Sequence, residues 1–216
     1  HVGESDALAA LDAAKPGAVA EGNCGGGTGM ICYGYKGGTG TSSRVIEVAG
    51  QHGTVAALVQ ANHGRQPLFT LLGVPVGEHV KTAFAGRKEL GSIIVVIATD
   101  LPVLPHQLRR IAKRATIGIG RHGTQGGNGS GDIFLAISTA NPMPVPQRGP
   151  DLWKLDGIND EHFDPIYLAA VQAIEEAVVN AMLAAEPMPT FRPAGHVCEP
   201  LDSDKLVAVM KRFGRM

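Results

Sequence analysis

The order of elements along this chain predicts an α+β fold in which stacked sheets are covered by helices, rather than regular βαβ winding. Apolar runs of strand length come first, at residues 31–35, 44–48, 54–60, 68–74 and 92–98. The clearest helical periodicity follows, at residues 165–185 and 202–213. Between them, Gly91-Ser92 stands directly before five consecutive branched aliphatics, Ile93, Ile94, Val95, Val96 and Ile97. A short run so rich in β-branched side chains reads as a central strand buried on both faces.

Taken in order, residues 5–15 read as a helix, with Ser5 as its cap, Leu8 and Leu11 on one face, and Pro16-Gly17 as its stop. A glycine cluster holding Gly25, Gly26, Gly27 and Thr28 precedes the strand at 31–35, and a second cluster, 37–43, leads into the strand at 44–48. Neither cluster is GxxxxGK[ST] and neither opens a helix, so phosphate cradling is a weak reading. Close backbone packing, or a substrate-lining loop at Gly25–Thr28, fits better. The strand at 54–60 ends in Ala61-Asn62-His63-Gly64. An amide there is well placed to donate a hydrogen bond into a site, although Asn before a glycine turn is also common.

Ser92 stands at the entrance of the central strand, on a rigid support of the kind a nucleophile needs. From the local sequence alone, a plain Gly-Ser turn before a core strand is the favoured reading. If the Gly91–Ser92 bond were cut, Ser92 would carry its hydroxyl and a free α-amine together. An α-amine titrates at about 7.7–8.0, so it can serve as a base near neutrality. Gly91 would suit self-cleavage by tolerating a strained backbone.

Pro105 starts a basic helix, 105–114, whose charges suit a solvated face or a subunit contact. Residues 118–131 hold seven glycines and end in Gly129-Ser130-Gly131-Asp132. Ser130 fails the GxSxG pattern and precedes a strand, 133–138, where a nucleophile elbow needs a helix. If the strand pattern already applies at 130–132, Ser130 and Asp132 share one side, where a hydroxyl–carboxylate pair can relay protons or orient a neighbour. Residues 141–159, with four prolines, read as a loop. The helix at 165–185 carries one apolar stripe flanked by Glu175 and Glu176, and the last helix has Asp202 or Ser203 as its cap.

The 216 residues carry a formal charge of −1 and 44% hydrophobic residues, enough for one sizeable core or two small ones. This balance leaves no basic footprint for nucleic acid and no polybasic patch for a membrane, and no apolar run approaches a membrane span. Cys24, Cys32 and Cys198 lack CxxC spacing and read as small hydrophobes. The histidines show no HExxH or other ligand spacing, so no metal is expected. A cytoplasmic location is the expectation, with the periplasm as the alternative.

Together, VAEGNCGGGTGMICYGYKGGTGTSSRV, VQANHG, GVPVG, GSIIVVIATDLPVLPHQL, GNGSGDIFLAIST and VQAIEEAVVNAM resemble the self-processing aminopeptidases of the DmpA type. That family comprises L-aminopeptidases with D-amidase/D-esterase activity and their β-aminopeptidase relatives. The resemblance implies a four-layered αββα sandwich, of the kind shared with ornithine acetyltransferases and like N-terminal-nucleophile hydrolases. It further implies a precursor that cuts itself between Gly91 and Ser92, with Ser92 as nucleophile and new N-terminus. Asn62 matches the oxyanion-stabilising asparagine, and Ser130 and Asp132 match residues that assist the nucleophile. Substrates would be short peptides, amides or esters, with no metal or organic cofactor, and cleaved chains would associate into homo-oligomers. Family members have a front part upstream, which supplies strands, a carboxylate gripping the substrate amine and a tyrosine near the oxyanion. Residues 1–216 therefore read as a single domain, the C-terminal part of a longer precursor, and Glu21 matches a different family position. The alternative function is a non-catalytic glycine-loop ligand-binding or assembly protein of the same fold.

Overall fold

The computed structural model describes residues 2–86, 88–89, 91–142, 149, 152–192 and 194–216. Leu90, and residues 143–148, 150 and 151 of the expected loop, lie outside the described residues. In chain order the elements are α1 (Glu4–Asp12), β1 (Ile31–Cys32), β2 (Tyr35–Lys36), β3 (Gly38–Val48), β4 (Gln51–Ala61), α2 (Val76–His79) and β5 (Ile93–Thr99). After these come α3 (Pro105–Ala112), α4 (Ala115–Gly120), β6 (Ile133–Ser138), α5 (Asp164–Leu183), β7 (Met188–Pro189), β8 (Val197–Cys198) and α6 (Ser203–Arg212).

Four strands form the main sheet in the order β3-β4-β5-β6, antiparallel except for the parallel pair β5–β6. The β3–β4 hairpin turns through Ala49-Gly50, both at positive φ (50° and 73°), the two-residue geometry that matches strand twist. One face, carrying Val55, Val59, Ile93, Val95 and Ile97, is buried. Helix α5 packs on β3 and β4 of this sheet through Ile166, Ala170, Ala173, Ile174, Ala177 and Ala181, all buried. Its alanines permit a close approach. At Gly40 a Cβ would collide with the Ala177 carbonyl, so glycine is what lets β3 and α5 touch. Helix α4 packs against α5, and α3 lies near β6.

The opposite face alternates out of the core. Val45, Ile94, Ile133, Leu135 and Ile137 stay between 42% and 77% exposed on it. The central strand is therefore buried on one face, not both, because its uniformly apolar run conceals a period-two alternation in burial. One sheet and its helices make two of the four layers implied by the resemblance.

Several other expectations shift. Helix α1 starts one residue early on Gly3, whose N–H bonds the Asp6 carboxylate; it ends at Asp12 and leaves Leu8 and Leu11 exposed. Residues 31–35 split into a tight hairpin through Tyr33-Gly34, and β3 begins inside the second glycine cluster. Residues 68–74 form no strand. Pro67 sits in a 3₁₀ turn, and Leu72-Gly73 reverse the chain at positive φ between the bridged Leu71 and Val74. The basic helix is tied internally, with Arg110 paired to Asp160 at 2.6 Å and the guanidinium of nearby Arg114 lying 4.0 Å from the Tyr167 ring centroid. Glu175 and Glu176 are boundary charges, paired with Arg121 and Arg44. The 20-residue α5 is long and apolar enough to cross a membrane by composition, contrary to the expectation for any run here, but its packing is that of a core helix. Asp202 caps α6 by accepting from the Lys205 N–H.

Candidate active site

Strand pairing explains why residues 30 to 40 positions apart meet. Parallel pairing of β5 with β6 sets Ile94 beside Ile133, so both strands enter the sheet at the same end. Antiparallel pairing of β4 with β5 sets Ala61 beside Ile93, so β4 leaves the sheet at that end too. The residues flanking these three ends are Asn62, Gly91-Ser92 and Ser130-Gly131-Asp132. All four side chains singled out from sequence converge there.

Ser92 Oγ accepts a hydrogen bond from the Gly131 N–H at 2.8 Å. Asp132 Oδ1 accepts from the Ile93 N–H at 3.1 Å and from the Ser130 hydroxyl at 2.6 Å. One carboxylate oxygen thus gathers Ser130 and the peptide just after Ser92. On the other side, Asn62 Oδ1 accepts from the Ile31 N–H at 3.0 Å, which leaves the amide's donor end without a hydrogen-bond partner among the described residues. Gly91 lies against that end. A Cβ built on it would stand 2.8 Å from Asn62 Nδ2 and would collide with the Asn62 carbonyl oxygen. The close approach to Asn62 is what calls for glycine at this position.

Behind Asn62, His63 is buried, and burial first, then the nearby His122 ring, push its imidazole down to about 4, against a weaker opposing pull from Asp132. Cys32 Sγ lies 3.7 Å from His63 Nδ1, but burial pushes that thiol up to about 12. Both members of this pair stay neutral near pH 7, so it is no thiolate–imidazolium couple, and His63 is a poor base there. A cavity of about 110 Å³ opens beside the junction, lined in part by Asn62, His63, Gly64, Lys88, Glu89 and Gly91. Glu89 reaches across it to accept from the Gly64 N–H at 2.8 Å.

Gly25, Gly26, Gly27 and Thr28 are not brought to this cavity; Gly29 lines it instead. The 3₁₀ turn over Gly25–Gly27 packs on Thr39 and Gln60, and the Thr28 hydroxyl donates back to the Gly25 carbonyl. Glu21 accepts from the N–H and hydroxyl of Thr41. Among the described residues no cluster of His, Cys, Asp and Glu could hold a metal ion. Sequence reasoning missed Glu89, the Gly131 N–H and the neutral His63.

The model for peptidase family S58 matches residues 1–195. The beta-peptidyl aminopeptidase BapA of Sphingosinicella microcystinivorans is 44% identical over 231 residues, covering 100% of this chain and 58% of that protein. The solved L-aminopeptidase D-Ala-esterase/amidase of Ochrobactrum anthropi, described as a prototype for the serine aminopeptidases and a new variant among the Ntn hydrolase fold, superposes with a TM-score of 0.91. It is 54% identical, over 98% of this chain and 58% of its own. A Burkholderia sp. beta-aminopeptidase gives a TM-score of 0.87 at 42% identity, over 99% of this chain and 60% of its own. The chain therefore has the α+β architecture of the Ntn-hydrolase variant and spans a little over half the length of these relatives.

Proposed function

This chain belongs to peptidase family S58, and on that premise we propose that it is the nucleophile-bearing part of a self-processing serine aminopeptidase/amidase. Its substrates are short peptides, amino-acid amides or esters, from which it removes an N-terminal residue. The observation that carries this reading is the junction itself: Gly91 packed on Asn62, and Ser92 Oγ held by the Gly131 N–H beside the Asp132–Ser130 pair.

In the first reaction Ser92 Oγ adds to the Gly91 carbonyl carbon, and the developing oxyanion falls to the Asn62 amide donor. The C–N bond then breaks as the hydroxyl proton passes to its nitrogen, leaving Gly91 as an ester on Ser92 Oγ and freeing the Ser92 amine. Water hydrolyses that ester, so one chain ends in the Gly91 carboxylate and the other begins at Ser92. His63, held near 4, is not the base for substrate turnover. The freed α-amine, near 7.7–8.0 when unperturbed, takes that role within the same residue.

In turnover the amine accepts the hydroxyl proton as Ser92 Oγ attacks the substrate carbonyl, and returns it to the leaving amine or alcohol. The acyl-enzyme is then hydrolysed. An oxyanion donor such as Asn62 is worth roughly 10²–10³ in rate. Asp132 and Ser130 orient the serine and its amine. The reading extends to a homo-oligomer of cleaved chains acting in the cytoplasm, without nucleic acid or membrane as partner. The names of the similar proteins, beta-peptidyl aminopeptidase and L-aminopeptidase D-Ala-esterase/amidase, support this substrate class.

The test is Ser92→Ala in the full-length protein, assayed on amino-acid amides and on α- and β-linked dipeptides. Loss of both chain cutting and turnover is expected. Turnover that survives the substitution removes the reading.

A further inference from the structure

We propose that Glu89 is a positioning residue for self-cleavage, a clamp that holds the Gly91–Ser92 junction against Asn62. The proposal rests on the self-cleaving reading above and assigns a role to a side chain that this reading does not use.

Glu89 stands three residues before Ser92, on the segment that has to be cut. Its Oε1 accepts from the Gly64 N–H at 2.8 Å, two residues beyond Asn62. The Gly64 backbone is itself fixed, since it turns at φ +83° with its Cα face on the Tyr33 ring, where a side chain would collide. The other oxygen, Oε2, is buried without a hydrogen-bond partner among the described residues. It closes on Gly127, where a Cβ would stand 2.8 Å away, in the loop that leads to Ser130. One carboxylate therefore touches the junction's own segment, the loop carrying Asn62 and the loop carrying Ser130.

That arrangement suits an intramolecular attack. Ser92 Oγ reaches the Gly91 carbonyl carbon only by closing a five-membered ring, and the new oxyanion must form within reach of one amide donor. Small displacements of the carbonyl are costly in such a geometry. Gly91 alone cannot set the register, having no side chain to anchor. Glu89 is a nearby anchor on the same strand of chain, and it grips the segment that carries the donor. Burial of a carboxylate oxygen with no partner among the described residues is unfavourable in itself. Such a feature fits a role in the reaction better than one in stability.

The experiment measures the rate at which newly made full-length protein becomes two fragments, by intact mass, for the unsubstituted chain, Glu89→Ala and Glu89→Gln. A hydrogen bond to a charged acceptor is worth about 10- to 100-fold in an equilibrium, and Glu89→Ala should slow cutting by about that factor. Glu89→Gln keeps an oxygen for the Gly64 N–H and should cut within a few-fold of the unsubstituted rate. Melting midpoints, measured with Ser92→Ala added to prevent cutting, should be close for all three. Cutting of Glu89→Ala at the unsubstituted rate overturns the clamp. So does Glu89→Gln cutting as slowly as Glu89→Ala, or slowing that tracks a lowered midpoint. Absence of cutting in the unsubstituted protein would instead remove the self-cleaving reading, and the clamp with it.

Discussion

Acidification perturbs one buried group in a way that can be worked through. His63 is 3% exposed, and burial, followed by the His122 ring, holds its imidazole at about 4 against an ordinary value of 6.5. Between those two values the unfolded chain binds a proton there that the folded chain refuses. Stability contributed by His63 is thus fully present above pH 6.5 and is lost as pH falls towards 4. The gap from 6.5 to about 4, at ~1.36 kcal/mol per tenfold change in proton concentration, amounts to about 3 kcal/mol. Asp160, Glu176 and Asp202 also lose stabilisation in acid. Their carboxyls are held below ordinary values of 3.8 to 4.5, first by hydrogen bonds from Gln107, Ser42 and the Lys205 N–H respectively, so their loss comes at lower pH. Urea unfolding at pH 7, 6, 5 and 4, in a Ser92→Ala background that keeps the chain whole, measures the effect. His63→Met supplies an uncharged, adaptable side chain for comparison. The stability gap between the two proteins should shift by about 3 kcal/mol from pH 7 to pH 4, to the disadvantage of the histidine. Parallel curves would refute the assignment of a neutral, desolvated imidazole.

Two further substitutions test close contacts. Gly91→Ala introduces a methyl group where the Asn62 carbonyl already stands, so it should push the junction away from Asn62 and slow the appearance of fragments by about tenfold or more, read by intact mass. Gly40→Ala forces β3 away from the Ala177 carbonyl of α5, and urea unfolding should report a loss of about 1–3 kcal/mol, the usual cost of overpacking.

What could be read from the residues depended on whether the signal was local. Ser92, Asn62, Ser130 and Asp132 each adjoin the end of an apolar run, so a strand boundary and a polar residue could be seen together. Their convergence follows from the pairing of β4, β5 and β6, which periodicity does not encode. Glu89 carried no pattern of its own, since its partner Gly64 lies 25 residues earlier on another loop. The Gly131 N–H is a backbone group and leaves no trace in composition. Residues 68–74 misled because Leu, Phe, Thr and Val suit a strand while Pro67 and Gly73 impose turns. Exposure of Ile94 was hidden for the opposite reason: a run of five branched aliphatics looks the same whether one face or two are covered.

The central claim is that Ser92 becomes an N-terminal nucleophile by cutting its own chain. Intact mass combined with N-terminal sequencing of the full-length protein tests it most directly. The account predicts two fragments, one ending at Gly91 and one whose first residue is Ser92 with a free amine, and a single uncut mass for Ser92→Ala. One unbroken chain in both proteins, or a cut at another bond, would contradict it.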